Sequence, residues 1–315
     1  MSLLDRKKAV LVKIESVYGT DATPVGTTDA VLVSDVQCMP VDQEMVDRQL
    51  VRPYLGGSQK LPAYQLARVT ITQELAGFGT AGPVTPQPGY GAMLRACGLA
   101  QTITASTKVD YAPVSSAFES ATIYFYQDGT LHKLLGARGT FKLSMKRNKI
   151  PMITYEFTGL FSEPTDVALP SLTLTGYQTP LVVNRANTSA LTIHSYAGAY
   201  LEEFNFDLGN EVDFRNLVGQ SGDIVQIVDR QSKGSMIIEA TTVAAKNWWA
   251  DITGAVLAGF TITHGTTAGN KVIPSGNNVQ IMNPQFQELD KIVHLSADLD
   301  FQPSSGNDEF LLTIQ

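Results

Sequence analysis

Apolar and polar positions alternate along most of this chain, in short blocks separated by turn-forming residues. Residues 68–75 (RVTITQEL) show the pattern clearly. They are rich in β-branched side chains, and every second position is apolar, which predicts a strand with one buried face. Residues 31–36, 139–146, 151–161, 278–283 and 291–301 predict further strands, the second to fifth of these forming two hairpins. Residues 121–135 predict another hairpin, announced by Asp128-Gly129, whose glycine suits a tight primed turn. Helical spacing is confined to two places. In residues 90–99 (YGAMLRACGL) Met93, Leu94 and Cys97 share a face, and residues 246–257 (KNWWADITGAVL) stand at the matching position later on. A short strand is expected after each helix, at 101–104 and 260–263. Residues 7–20 open with an apolar run, and the turn-rich residues 21–28 read as a loop or arm.

The pattern also repeats. Residues 44–75 read as a strand, a long polar excursion and a second strand, and residues 211–241 say nearly the same thing again. Arg48-Gln49-Leu50-Val51 aligns with Arg215-Asn216-Leu217-Val218 at a shift of 167 (215 − 48), whereas residues 68–76 match 234–242 at a shift of 166 (234 − 68). Each half is expected to close with a strand, at 171–177 and 309–315, with a linker near 169–179. The expected fold is mainly β, a tandem duplication in which one helix covers a sheet in each copy, divided into residues 1–170 (with an N-terminal arm) and 171–315.

Edges of small sheets must be blunted or paired. Sheets that continue into neighbouring chains would close a ring and remove them. The excursion after the first strand is too long for a tight hairpin. Together with its repeat it offers Arg48, Leu50, Arg52, Tyr54, Leu55, Arg215, Leu217 and Val218 as candidate contact residues between subunits or rings.

Composition narrows the function. Lysine and arginine number 23 against 30 aspartates and glutamates, a formal charge of −7, with no basic face for gripping nucleic acid. Lys146-Arg147-Asn148-Lys149 reads as a hairpin turn with a solvated rim. Cys38 and Cys97 stand apart among apolar residues as free buried thiols and cannot by themselves make a zinc site. The first residues lack the apolar core of a signal peptide, and no run approaches the roughly 20 apolar residues of a spanning helix. Asn187-Thr188-Ser189 spells a glycosylation sequon without a secretory context, so synthesis in the cytosol is expected.

No catalytic motif survives inspection. Gly77-Phe78-Gly79-Thr80-Ala81-Gly82 fits G-x-G-x-x-G, yet Pro83, Pro86 and Pro88 follow where a phosphate-binding helix should open, and no acidic residue stands near position 101. His132, His194, His264 and His294 stand singly, without the paired spacing of a compact metal site. Neither a serine elbow nor a cysteine with a base is present, and a glycosidase carboxylate pair cannot be read from sequence. Trp248-Trp249 is a candidate sugar platform, though adjacent helical positions point about 100° apart, so at least one is expected to pack on the sheet. No cofactor or metal is expected.

The segments RKKAVLVKIESVYGTDATP, RQLVRPYLGGSQ, MLRACGLAQTI, YAPVSSAFESATIYFYQDGTLHKLLGARGTFKLS, PLVVNRAN, LGNEVDFRNLVG and GNDEFLLTIQ resemble, in order and over practically the whole chain, the major tail tube proteins of long flexible-tailed bacteriophages. The resemblance implies a tail-tube β-sandwich or barrel with one flanking helix, here duplicated. It implies a non-enzymatic virion protein whose rings, with six domain positions, stack into a hollow tube for the genome; three two-domain chains would fill one ring. Its partners would be other copies of itself, the tail terminator, tape measure and tail tip proteins, and phage DNA passing without specific binding, with no membrane. The net acidity suits a wall that DNA slides past. The competing reading is a carbohydrate-binding or adhesive β module of a tail tip, with Trp248 or Trp249 stacking on sugar.

Overall fold

The computed structural model describes residues 3–77 and 88–315. Strands account for 52% of the chain and two short helices for 4%, so the chain is mainly β as the alternation predicts. The first half opens with β1 (Lys8–Ile14), buried on both faces through its apolar run, then the short β2 (Ala30–Val31). A long hairpin follows, β3 (Asp35–Val46) and β4 (Leu61–Glu74), and then α1 (Pro88–Ala96). Next come the hairpin β5 (Leu99–Thr104) and β6 (Lys108–Pro113), the strands β7 (Ala121–Gln127), β8 (Thr130–Lys146) and β9 (Met152–Phe161), and the two-residue β10 (Thr165–Asp166). The second half runs β11 (Thr188–Ile193), β12 (Leu201–Asp207), β13 (Asn210–Arg215), β14 (Ile224–Arg230), β15 (Lys233–Glu239), α2 (Trp248–Thr253), β16 (Leu257–His264), β17 (Val272–Leu289), β18 (Ile292–Phe301) and β19 (Leu311–Ile314).

The predicted turn between β7 and β8 is present. Asp128 and Gly129 both take positive φ, +40° and +100°, as a type I′ turn requires. A second glycine breaks a strand. Gly209 has φ +67°, and a Cβ there would lie 2.0 Å from the Gln231 carbonyl oxygen, so the chain turns sharply between β12 and β13.

Hydrogen-bonded neighbours run β3-β4-β9-β8-β12-β15-β18-β17, an antiparallel sheet of strands from both halves. The long strands β8 and β17 leave this layer and continue into a second one. There β8 pairs with β7 and β10, and β7 with β1. There too β17 pairs with β16 and β19, and β19 with β6 of the first half. Between the layers lies a continuous apolar cluster containing Phe141, Tyr155, Phe157, Phe204, Phe206, Phe260, Phe301 and Phe310. Phe206 and Phe310 stack with centroids 3.9 Å apart. Each such side chain contributes roughly 1.5–3 kcal/mol by leaving water. Helix α1 inserts Met93 and Leu94 into this cluster, and Cys97, just past its end, joins them on the predicted inner face, although the helix ends at Ala96 rather than residue 99. Helix α2 is shorter than expected, because Gly254 caps it after Thr253.

Two polar clusters hold the layers. The buried Glu15 carboxylate accepts hydrogen bonds from Gly19 N (2.8 Å), Ser120 Oγ (2.7 Å), Thr122 Oγ1 (2.9 Å) and Gly136 N (2.7 Å), tying the end of β1 to β7 and to the bulge in β8. Arg230 donates to Glu309 Oε1 (2.5 Å) and to the Val114 carbonyl (2.8 Å), joining β14 to the segment before β19 and to the end of β6.

Several expectations need correction. Residues 171–177 form no strand; they cross the sheet irregularly, with Leu172 and Leu174 packed on Ala9, Leu11, Tyr124 and Tyr126. The first half closes instead with β10, which pairs with the start of β8 as β19 pairs with the start of β17. The short strand at 260–263 belongs to β16, whose neighbours β11 and β17 make it the counterpart of β7, paired with β1 and β8, and not of β5. The repeat register between β4 and β15 is 167. Val69 faces Phe157, and Met236 faces Ala297, on the core side; a shift of 166 would set Val69 on Ser235, which points the other way. Cys97 is buried, but Cys38 is only half-buried. The G-x-G-x-x-G motif runs through residues 78–82, outside the described residues.

Candidate assembly surface

The eight-stranded sheet turns one face to the apolar cluster, and its other face carries the polar half of each alternation. Cross-strand partners fix that face: Arg68 lies opposite Thr158, Thr70 opposite Glu156, Thr140 opposite Glu156, Lys146 opposite Glu203, Asp207 opposite Lys233, and Ser235 opposite Asp298. Acidic residues outnumber basic ones there. Asp35, Asp42, Glu74, Glu156, Glu203, Asp207, Glu239, Asp298 and Asp300 share it with Arg68, Lys142, Lys146 and Lys233. Most of these cations are already engaged: Arg68 with Asp42 (2.7 Å), Lys142 with Glu156 (2.7 Å) and Lys146 with Glu203 (2.6 Å). The hydrogen bond from Lys146 holds the Glu203 carboxyl below the usual range, and the one to Glu156 holds Lys142 above its own. What remains is a broad, hydrated, net negative wall.

Two loops leave neighbouring hairpins, one from β3–β4 of this sheet and one from the separate two-stranded β13–β14. Residues 47–60 join β3 to β4, bringing Arg48, Leu50, Arg52, Tyr54 and Leu55 together. Residues 216–223 join β13 to β14 next to Arg215 and carry Leu217 and Val218. Tyr64 and Phe214, at the stems, lie 5.0 Å apart between ring centroids, so the two stems touch. Val51, Leu55 and Val218 are fully exposed at the tips. Internal contacts are few. Lys60 pairs with Asp47 at the base (3.0 Å), Arg52 lies 5.8 Å over the Tyr54 ring, and Arg215 reaches Gln226 (3.3 Å). The tips of both loops therefore leave apolar side chains in water.

The sheet also ends in two open edges. Among the described residues, strand β3 pairs with β4 alone, and residues 285–289 of β17 pair with β18 alone. Met39, Val41, Met45 and Val46 are exposed along the first edge, and Phe286, Ile292 and Val293 beside the second. None of this was legible in the sequence, because the alternation of a strand does not say which of its neighbours is missing.

His194 is sandwiched between Asp251 Oδ2 (3.0 Å) and the Val279 carbonyl (2.8 Å), which uses both ring nitrogens. His264 contacts Thr188 and the Leu181 carbonyl, and His132 stacks on Phe125. Among the described residues no group of three or more histidine, cysteine, aspartate or glutamate side chains could hold a metal ion, and no helix is long and apolar enough to cross a membrane. Trp248 is buried and donates its indole N–H to Thr241 Oγ1 (2.9 Å), while Trp249 is half-exposed and meets Phe286 edge-on at 5.6 Å. The pair therefore offers no flat double platform for a sugar.

Compared with known protein families, residues 5–303 match the family described as phage tail tube protein. No curated protein matches the sequence significantly.

Proposed function

The chain belongs to the phage tail tube protein family, whose members are structural components of the virion tail and not enzymes, and from this premise we propose how it builds the tube. Three chains close one ring with six domain positions, and rings stack into the hollow conduit through which the genome is ejected. The observation that carries this reading is the eight-stranded sheet: each half contributes neighbouring strands to one continuous layer, and the layer ends in two unpaired edges. We read residues 1–170 and 171–315 as the two copies of one tail-tube-type unit.

In this reading the acidic face lines the lumen. DNA passing along it meets like charge, so counterion-releasing phosphate contacts that would arrest the genome are few. The tail terminator, tape measure and tail tip proteins are its partners at the tube's ends and interior, and the DNA is a passenger without specific binding. Electron microscopy of concentrated protein should show hollow tubes whose rings each contain three chains. Rings of six chains, or no rings, would refute the proposal.

The projecting loops are the contact arms between subunits or stacked rings. Their side chains make little contact with the rest of the chain, so changing them should spare the fold. Replacing both Arg48 and Arg52 by glutamate is expected to leave the melting temperature within about 2 °C of wild type, as for surface changes generally, while tube yield falls steeply. Wild-type tube yield from a folded double variant would end the role given to these arginines.

A further inference from the structure

The junction between the two halves shows what the free edges of the sheet are shaped to meet. At that junction β8 pairs with β12, Lys146 opposite Glu203, Ser144 opposite Asn205 and Lys142 opposite Asp207. Beneath it Phe141 packs on Phe206 and Phe310, with centroids 6.0 and 6.2 Å away. Each side of this junction has a counterpart at a free edge. Ser144 faces Met152 at the start of β9 as Leu289 faces Ile292 at the start of β18, so Leu289 stands in the place of Ser144 and Phe286 in the place of Phe141. On the other side, Met39 faces Arg68 as Asn205 faces Ser235, so Met39 stands in the place of Asn205.

The counterparts differ in burial. Phe141 is 0% exposed and Phe286 is 63% exposed, because no strand among the described residues covers the latter. Exposed Val293 and half-exposed Trp249 flank it, and exposed Met39 and Val41 mark the opposite edge.

We infer that the seam between chains repeats the internal junction: residues 286–289 of β17 pair antiparallel with residues 37–42 of β3 in a second copy. Leu289 lies opposite Met39 and Gln287 opposite Asp42, with Phe286 tucked beneath the ladder toward Cys38 and Val41. This rests on the ring reading above, and it adds the register. The internal junction carries Lys–Glu and Lys–Asp pairs across its open face, whereas the cross-strand pairs of the new seam join no opposite charges. The backbone ladder and apolar contact hold it.

Cross-linking tests the register. Directly opposed residues of an antiparallel pair have Cα atoms about 4.5–5.5 Å apart, inside the roughly 4.4–6.8 Å range of disulfides. Met39→Cys and Leu289→Cys, combined in a Cys38→Ser chain, should give disulfide-linked dimers and closed trimers on mild oxidation, with rings intact by electron microscopy. Each single-cysteine variant should stay unlinked. Three-chain rings that form normally but link no better than the single variants would overturn the seam while leaving the ring reading standing. If the wild-type chain forms no ring, the ring reading fails and the seam with it. An independent arm uses Phe286→Asp. The side chain is 63% exposed and loses only its edge-on contact with Trp249, so circular dichroism should match wild type and melting should fall by only a few degrees, while ring yield falls about tenfold or more, as for loss of an aromatic anchor. Wild-type ring yield from that folded variant would also overturn the seam.

Discussion

An Arg230→Ala chain is expected to unfold about 3–5 kcal/mol more easily than wild type, the usual consequence of stripping one partner from a buried ion pair. The Arg230 and Glu309 side chains retain only 11% and 7% of their exposure, and Arg230 also satisfies the Val114 carbonyl. Removing the guanidinium leaves the Glu309 carboxylate buried without its cation, in a place where Glu309 Oε2 already lacks a partner. The loss should be largely recovered in an Arg230→Met, Glu309→Met double variant, because two apolar side chains of similar volume leave no charge to bury. Denaturant unfolding of the unassembled chain gives the numbers. A single variant within 1 kcal/mol of wild type, or a double variant no better than the single, would show that the pair does not act as described.

Glu15→Ala is the second change with a large expected effect. The carboxylate collects four donors, of which Ser120 and Thr122 can rotate toward other partners but the backbone N–H groups of Gly19 and Gly136 cannot. Leaving these two backbone N–H groups unpaired, that of Gly136 buried and that of Gly19 half-buried, costs about 1–3 kcal/mol each, so a loss of roughly 3–4 kcal/mol is expected. Glu15→Gln should fall between, since it keeps one acceptor oxygen and turns an amide N–H₂ toward the remaining donors. The same unfolding experiment decides. Equal stability of the glutamine and alanine variants would mean that geometry at this site depends on charge alone.

Much of the fold could be read from the residues. Alternation located β4, β8, β9, β17 and β18, and Asp128-Gly129 located the turn before β8, because these are local consequences of side-chain period and backbone freedom. The repeat exposed two similar loops, and in the structure their stems meet through Tyr64 and Phe214. What failed was non-local. The closing strand of the first half was assigned to residues 171–177 because their composition is β-like, yet pairing with β8 was taken by the two residues of β10. The 166 shift between β4 and β15 matched residue types but ignored facing, and only cross-strand partners such as Phe157 and Ala297 set it at 167. Similarity at 101–104 and 260–263 concealed that β5 and β6 are a hairpin of the first half alone, with β16 pairing as β7 does. The acidic wall and the exposed Phe286 depend on which strands become neighbours, and no window of sequence contains that.

The bond between β6 and β19 carries a consequence for how the chain is made. Tyr111 pairs with Leu312, and Thr313 Oγ1 donates to Asp110 across 203 residues of sequence. At translation speeds of about 5–20 residues per second, β6 waits roughly 10–40 s for its partner to leave the ribosome. During that interval the outer rim of the first half is open, and a chain cut short before residue 311 never closes it. Such a fragment would keep the unsealed β6 edge on display to chaperones and proteases.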